Sequence, residues 1–141
     1  MRAPHPLLPA AAVAAALAAS PLLPAGGGAH GYPDHPPVAH TGGFGEPTCL
    51  ACHAGAALND PAGSLALRGV PDAYGPGGRY RIDVVLERAG MAAGGFQLAA
   101  RCEDGTQAGD LTPAGAPRVT VAEDGRTGVR YAHQTAEGVV P

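Results

Sequence analysis

The chain has 141 residues, with nine arginines and no lysine set against twelve acidic side chains, for a formal net charge of −3. There is no basic cluster to track a phosphate backbone, which argues against a nucleic-acid partner. Glycine (22) and proline (15) are abundant, aromatic residues make up only 4% and tryptophan is missing, so any core is thin and built from Ala, Val, Leu and few large side chains.

The N-terminus opens Met1-Arg2 and runs through an uncharged, alanine-rich stretch over residues 7–25 into Gly-Gly-Gly-Ala. A basic start followed by an apolar middle and small residues is the pattern of a secretory signal peptide. We assign it to residues 1–29, with cleavage expected between residues 19 and 29. Pro9, Pro21 and Pro24 interrupt the stretch and make it a poor permanent membrane span, with an uncleaved anchor as the competing reading. Nothing later in the sequence is apolar enough to cross a bilayer. The expected destination is periplasmic or extracellular, and about 110 residues remain there, enough for one small domain.

Residues 30–47 are rich in Gly, Pro and His with little periodic apolar pattern, which predicts a flexible, extended arm. His30, His35 and His40 could each reach a metal, but imidazoles spaced along such a stretch are expected to be solvated.

The most specific signal follows at once. Thr48-Cys49-Leu50-Ala51-Cys52-His53 contains Cys-x-x-Cys-His, the spacing that attaches haem c. Two thiols three positions apart can add to the two vinyl groups on one edge of a porphyrin, and the adjacent imidazole then falls under the iron. Cys49 and Cys52 are the expected thioether residues, and His53 the expected proximal ligand, of one covalent haem c. Glu46-Pro47 and Ala54-Gly55 flank the motif, which is expected on a loop or a single helical turn.

Two other chemistries compete for these residues. Zinc held by Cys49, Cys52, His53 and one more histidine has acceptable Cys-x-x-Cys spacing. The immediate Cys52-His53 adjacency is awkward for a tetrahedral ion, and exported thiols tend toward disulfides unless captured. A Cys49–Cys52 disulfide that merely staples the arm is the other reading. The third cysteine, Cys102, lies in Ala-Arg-Cys-Glu-Asp-Gly and reads as a half-buried small side chain, or else as one half of an intermolecular disulfide.

After Asn59-Asp60-Pro61, read as a turn, the pattern changes to short alternating runs between Gly, Pro and Asp turns, the mark of antiparallel strands. Leu65 and Leu67 alternate first. Residues 79–87 give the strongest run, with Tyr80, Ile82, Val84 and Leu86 on one face. It is entered through Tyr74-Gly75-Pro76-Gly77, where Pro and Gly suit a type II turn. Phe96, Leu98 and Ala100 form the next inward set, followed by Val119 with Val121 and Val129 with Tyr131. Glu103-Asp104-Gly105 and Glu123-Asp124-Gly125 read as hairpin turns. The expected fold is an all-β, Ig-like antiparallel sandwich preceded by the arm and the haem-binding loop, with residues 48–141 as one unit.

In order along the chain, Thr41-Gly42-Gly43-Phe44-Gly45-Glu46 leading into Cys49, Cys52 and His53, then Tyr74-Gly75-Pro76-Gly77, Gly95-Phe96-Gln97-Leu98, and Tyr131-Ala132-His133-Gln134-Thr135 carry a family likeness. Over about residues 41–138 the sequence resembles a bacterial group of exported domains related to the reelin N-terminal (Reeler-like) β-sandwich, in which a haem-c motif precedes the sandwich. That family's domains usually continue with further strands, whereas this sequence stops at Val139-Val140-Pro141. The resemblance therefore implies an unfinished sandwich, with an unpaired sheet edge open to association with another chain.

The sixth iron position decides whether a haem transfers electrons or binds a small ligand. His133 follows Val129 and Tyr131 at period two, and the resemblance places a histidine in this neighbourhood, so it is one candidate distal ligand. Met91 is the other, and its thioether would raise the potential. The sequence shows no Ser-His-Asp set, recognisable carboxylate pair, phosphate-binding glycine loop or zincin motif. The expectation is a non-enzymatic monohaem c-type protein that transfers electrons outer-sphere to a redox partner protein. The alternative is an exported binding or adhesion module in which haem or a disulfide is structural.

Overall fold

The structure is a computed structural model that describes residues 31–139. The signal peptide assigned to residues 1–29, and His30, lie outside the described residues.

A single 3-10 turn over Cys49–Ala51 opens the Cys-x-x-Cys-His motif. Strand β1, Gly63–Arg68, pairs antiparallel with β2, Asp83–Arg88, so that Leu65 faces Leu86 and Leu67 faces Val84. The second sheet contains β3 (Gln97–Leu98), β4 (Val119–Glu123) and β5 (Arg130–Gln134), all antiparallel in the order β3-β5-β4. A second 3-10 turn covers Ala136–Gly138. The chain is thus all-β over its described residues, with two small antiparallel sheets.

The turns fall where Asp and Gly demand them. Asp124 accepts hydrogen bonds from the Arg126 amide at 3.1 Å and the Thr127 hydroxyl at 2.7 Å, closing the β4–β5 hairpin. Asp104 does the same for Thr106 at 2.9 Å and 2.6 Å, beside the bridge between Arg101 and Gln107. Asp60 caps the Ala62 amide and pairs with Arg88 at 3.1 Å, tying the entry of β1 to the end of β2. The type II turn lies at residues 75–78, with Gly77 at φ +76° and the Gly78 amide donating to Gly75 at 3.0 Å.

Two details differ from the sequence expectation. The run expected over residues 79–87 becomes strand only at Asp83. Gly69 sits at φ +80° and packs so closely on the backbone of Arg81 that a Cβ there would lie 2.1 Å from its carbonyl oxygen, and the left-handed residue ends the regular pairing at Arg68 opposite Asp83. Tyr80 instead turns back and accepts a 3.1 Å hydrogen bond from the Gly75 amide. Leu65 and Leu67 are also not inward, being 61% and 44% exposed, because a two-stranded sheet has too little surface to cover both of its faces.

Burial concentrates on one face of β5. Val129 and Tyr131 are the buried hydrophobic residues, and His133 and Gln134 the buried polar ones, among the described residues. β5 is central in its sheet and is overlaid by the segment that leads into the Cys-x-x-Cys-His motif, which explains why this strand is enclosed.

Candidate functional site

The segment before the motif is locked to the sheet at its far end. Residues 42–47 form a tight loop, with the Gly42 amide donating to Pro47 at 3.0 Å and the Glu46 amide to Gly43 at 2.9 Å. Gly42 and Gly45 adopt φ +77° and +78°, which a side chain would resist. The Glu46 carboxylate accepts from the Thr41 hydroxyl at 2.6 Å and from the Tyr131 hydroxyl, and pairs with Arg101 at 2.7 Å. Arg101 and Glu46 side chains are only 10% and 8% exposed. The guanidinium also lies over the Phe44 ring at 4.9 Å, a cation–π contact.

The electrostatics follow from this enclosure. Burial opposes ionisation of Glu46, yet the Thr41 and Tyr131 hydroxyls and the Arg101 charge together hold its carboxyl below the ordinary range. Burial, then the hydrogen bond to Glu46 and its negative charge, push the Tyr131 phenol up to about 12.

From this anchor the chain enters the motif. The Thr48 hydroxyl accepts from the Leu50 amide at 3.3 Å, and the Cys49 carbonyl accepts from the His53 amide at 2.9 Å. That one turn brings Cys49, Cys52 and His53 to the same cavity wall. Both cysteines are free and exposed. Neither thiol, nor the His53 ring, hydrogen-bonds another group among the described residues.

The arm forms a second wall. An added methyl on Gly31 would touch His53 Cε1 at 3.8 Å, so the arm passes directly against the motif. Tyr32, three prolines and His40 line the same cavity, of about 610 Å³, which the Ala93–Gln97 stretch, Gln134 and Val139 close from the sheet side. This volume lies within the roughly 300–1,000 Å³ of small-molecule and cofactor sites. Two glutamines hold the arm there. Gln97 accepts from the His40 amide at 3.1 Å and donates to the Pro37 carbonyl, while Gln134 accepts from the Phe96 amide at 2.9 Å and donates to the Tyr32 carbonyl at 3.4 Å.

The two distal candidates sit elsewhere. His133 is fully buried under the arm, with Nδ1 bonded to the Gln134 carbonyl at 2.8 Å and Nε2 lacking a partner among the described residues. Its ring packs edge-on to His35 at 6.2 Å. Met91 lines a shallow groove beside β1 and β2, close to Leu86 and Gly94. Neither lines the cavity that holds His53.

His40 differs from the solvated imidazole expected of a flexible arm. It is half-buried, with its amide on Gln97 and Nδ1 2.9 Å from the Val38 carbonyl. The glutamine clamps were not foreseen either. Their one trace in the sequence is a polar residue set into an otherwise apolar alternation, at Gln97 between Phe96 and Leu98 and at Gln134 next to His133. Cys102 is half-buried, as its setting before the Asp104 turn predicts, and forms no disulfide among the described residues.

Comparison with known proteins returns no matching family model, no matching curated protein and no matching solved structure. Among the described residues no helix is long and apolar enough to cross a membrane.

Proposed function

We propose that the chain is an exported monohaem c-type protein that transfers electrons, with its haem-binding loop docked on a Reeler-like β-sandwich. The observation that carries this reading is the convergence of two free thiols and an unengaged imidazole, in Cys-x-x-Cys-His order, on one cavity of about 610 Å³. The two antiparallel sheets agree with a sandwich, and the signal-like N-terminus supports a periplasmic or extracellular location.

The donor set fits haem c better than zinc. Cys49, Cys52 and His53 line one cavity, but no three His, Cys, Asp or Glu side chains among the described residues are grouped so as to hold a single ion, as tetrahedral zinc would need. Thioether attachment makes no such demand, because each cysteine meets a porphyrin carbon and only an imidazole meets the iron.

A haem held here supplies a one-electron iron couple. Cys49 and Cys52 would each hold it through a thioether, the thiol adding across a vinyl group so that its proton goes to the neighbouring carbon with no net electron transfer, and His53 would bind the iron. The prolines, Phe96 and Val139 line the cavity and would shield the group from water, adding buried apolar surface to a core that the side chains leave thin.

The test is a pyridine haemochrome spectrum with intact mass, on chain exported from cells that possess a haem-c maturation system. Covalent haem that survives denaturation and is lost in Cys49→Ala with Cys52→Ala supports the reading. A mature chain without haem overturns it and leaves the binding module or, if metal analysis finds zinc, the zinc site.

A further inference from the structure

His40 and His53 line one cavity, and they are the imidazoles that do so among the described residues. Resting on the haem reading above, we propose that His40 Nε2 is the second axial ligand of the iron.

The hydrogen bonding of His40 is that of a prepared ligand. A metal-bound imidazole characteristically gives its other ring N–H to a carbonyl or carboxylate, which fixes the tautomer and aims the free nitrogen. His40 Nδ1 makes that contact with the Val38 carbonyl at 2.9 Å. With the proton on Nδ1, the Nε2 lone pair is left for the iron, and it has no hydrogen-bond partner among the described residues.

The backbone around His40 is fixed from both sides. Gln97 accepts from its amide at 3.1 Å and reaches back to the Pro37 carbonyl. Ala39, directly before it, holds φ +63°, a left-handed conformation that a non-glycine residue resists and that needs support from its surroundings.

The other donors lie outside this cavity. His35 is 77% exposed and bonded to Asp34 at 3.0 Å. His133 is enclosed beneath the arm, and Met91 faces a different groove.

This assignment gives the arm a function. Bis-imidazole ligation leaves no exchangeable iron position, so the site carries electrons rather than a small ligand, and its potential lies below that of a histidine–methionine pair. The second ligand comes from the arm, so completing the iron site depends on the arm being clamped by Gln97 and Gln134.

The experiment uses the matured full chain, with covalent haem verified first by pyridine haemochrome. Absorption and electron paramagnetic resonance spectra and the reduction potential are then recorded for wild type, His40→Ala and His40→Met. A low-spin wild type is expected. His40→Ala should turn high-spin and return to low-spin on adding imidazole. His40→Met should stay low-spin, gain a thioether-to-iron charge-transfer band and rise in potential. A high-spin wild type, or wild-type spectra and potential in both variants, overturns the His40 assignment while leaving the haem reading intact. Absence of covalent haem from the wild type overturns both.

Discussion

Arg101 stands 2.7 Å from the Glu46 carboxylate, with both side chains almost out of solvent. This pair joins the loop that leads into the Cys-x-x-Cys-His motif to the Arg101–Gln107 bridge, and Tyr131 of the central strand completes it. Its importance lies in what a single deletion leaves behind. Glu46→Ala leaves a nearly buried guanidinium without its counter-charge, with only the Tyr131 hydroxyl at 2.7 Å as a hydrogen-bond acceptor and Nε unpartnered among the described residues, and should cost about 3 kcal/mol in urea unfolding. Glu46→Gln keeps an acceptor for Tyr131 and should cost less. Equal stability of Glu46→Ala and wild type would refute the anchor.

The same cluster makes stability depend on pH at both extremes. The Glu46 pKa is lowered from 4.5 in the folded chain, so its contribution is complete above that value and is lost as pH falls through the lower folded value. The Tyr131 pKa is raised from 10.0 to about 12, so its contribution is complete below pH 10 and fades as pH rises toward 12. Thermal melts across both windows read this directly. In an ultraviolet phenolate titration, one of the four tyrosines should ionise late, and Tyr131→Phe should remove that late step.

Gln97 is expected to control the arm without controlling the fold. Gln97→Ala removes its bonds to the His40 amide and the Pro37 carbonyl, each contributing about 0.5–1.5 kcal/mol. Hydrogen exchange at the His40 amide should accelerate by about tenfold or more, with a much smaller change in global melting temperature. Unaltered exchange at His40 would show that the arm is held by other contacts.

His133 and Met91 are expected to matter to packing more than to the iron. His133→Ala empties a fully buried site and should destabilise by about 2–4 kcal/mol, with the spin state of matured protein unchanged. Met91→Leu is close to volume-conserving and should cost less than about 1.5 kcal/mol. A switch to high-spin iron in either variant would return that residue to the sixth position.

Chemistry written in contiguous residues was legible before any coordinates. Cys49, Cys52 and His53 needed only their spacing, and their one-turn geometry follows from the Thr48 cap and the bond from His53 to Cys49. The Asp104 and Asp124 turns and the Gly75-Pro76-Gly77 turn were equally readable, because each depends on side-chain bonds or φ values within a few residues. The all-β class followed from alternation.

Relationships between distant segments were not readable in this way. Alternation identified Leu65 and Leu67 as one face of a strand, but their exposure depends on how few strands lie beside them. His133 and His40 show the same divide. At period two His133 looked like the inward ligand, and in a Pro-rich arm His40 looked solvated. Packing of the arm over β5 encloses His133, inward as period two predicts but away from the cavity that holds His53, and leaves His40 half-buried in that cavity's wall. The physical reason is that a side chain's identity and local backbone specify what it can do, whereas the neighbours that desolvate, orient or occupy it come from elsewhere in the chain. Here those neighbours are Gln97, Gln134 and the Glu46–Arg101–Tyr131 cluster, which no local pattern links to the Cys-x-x-Cys-His turn.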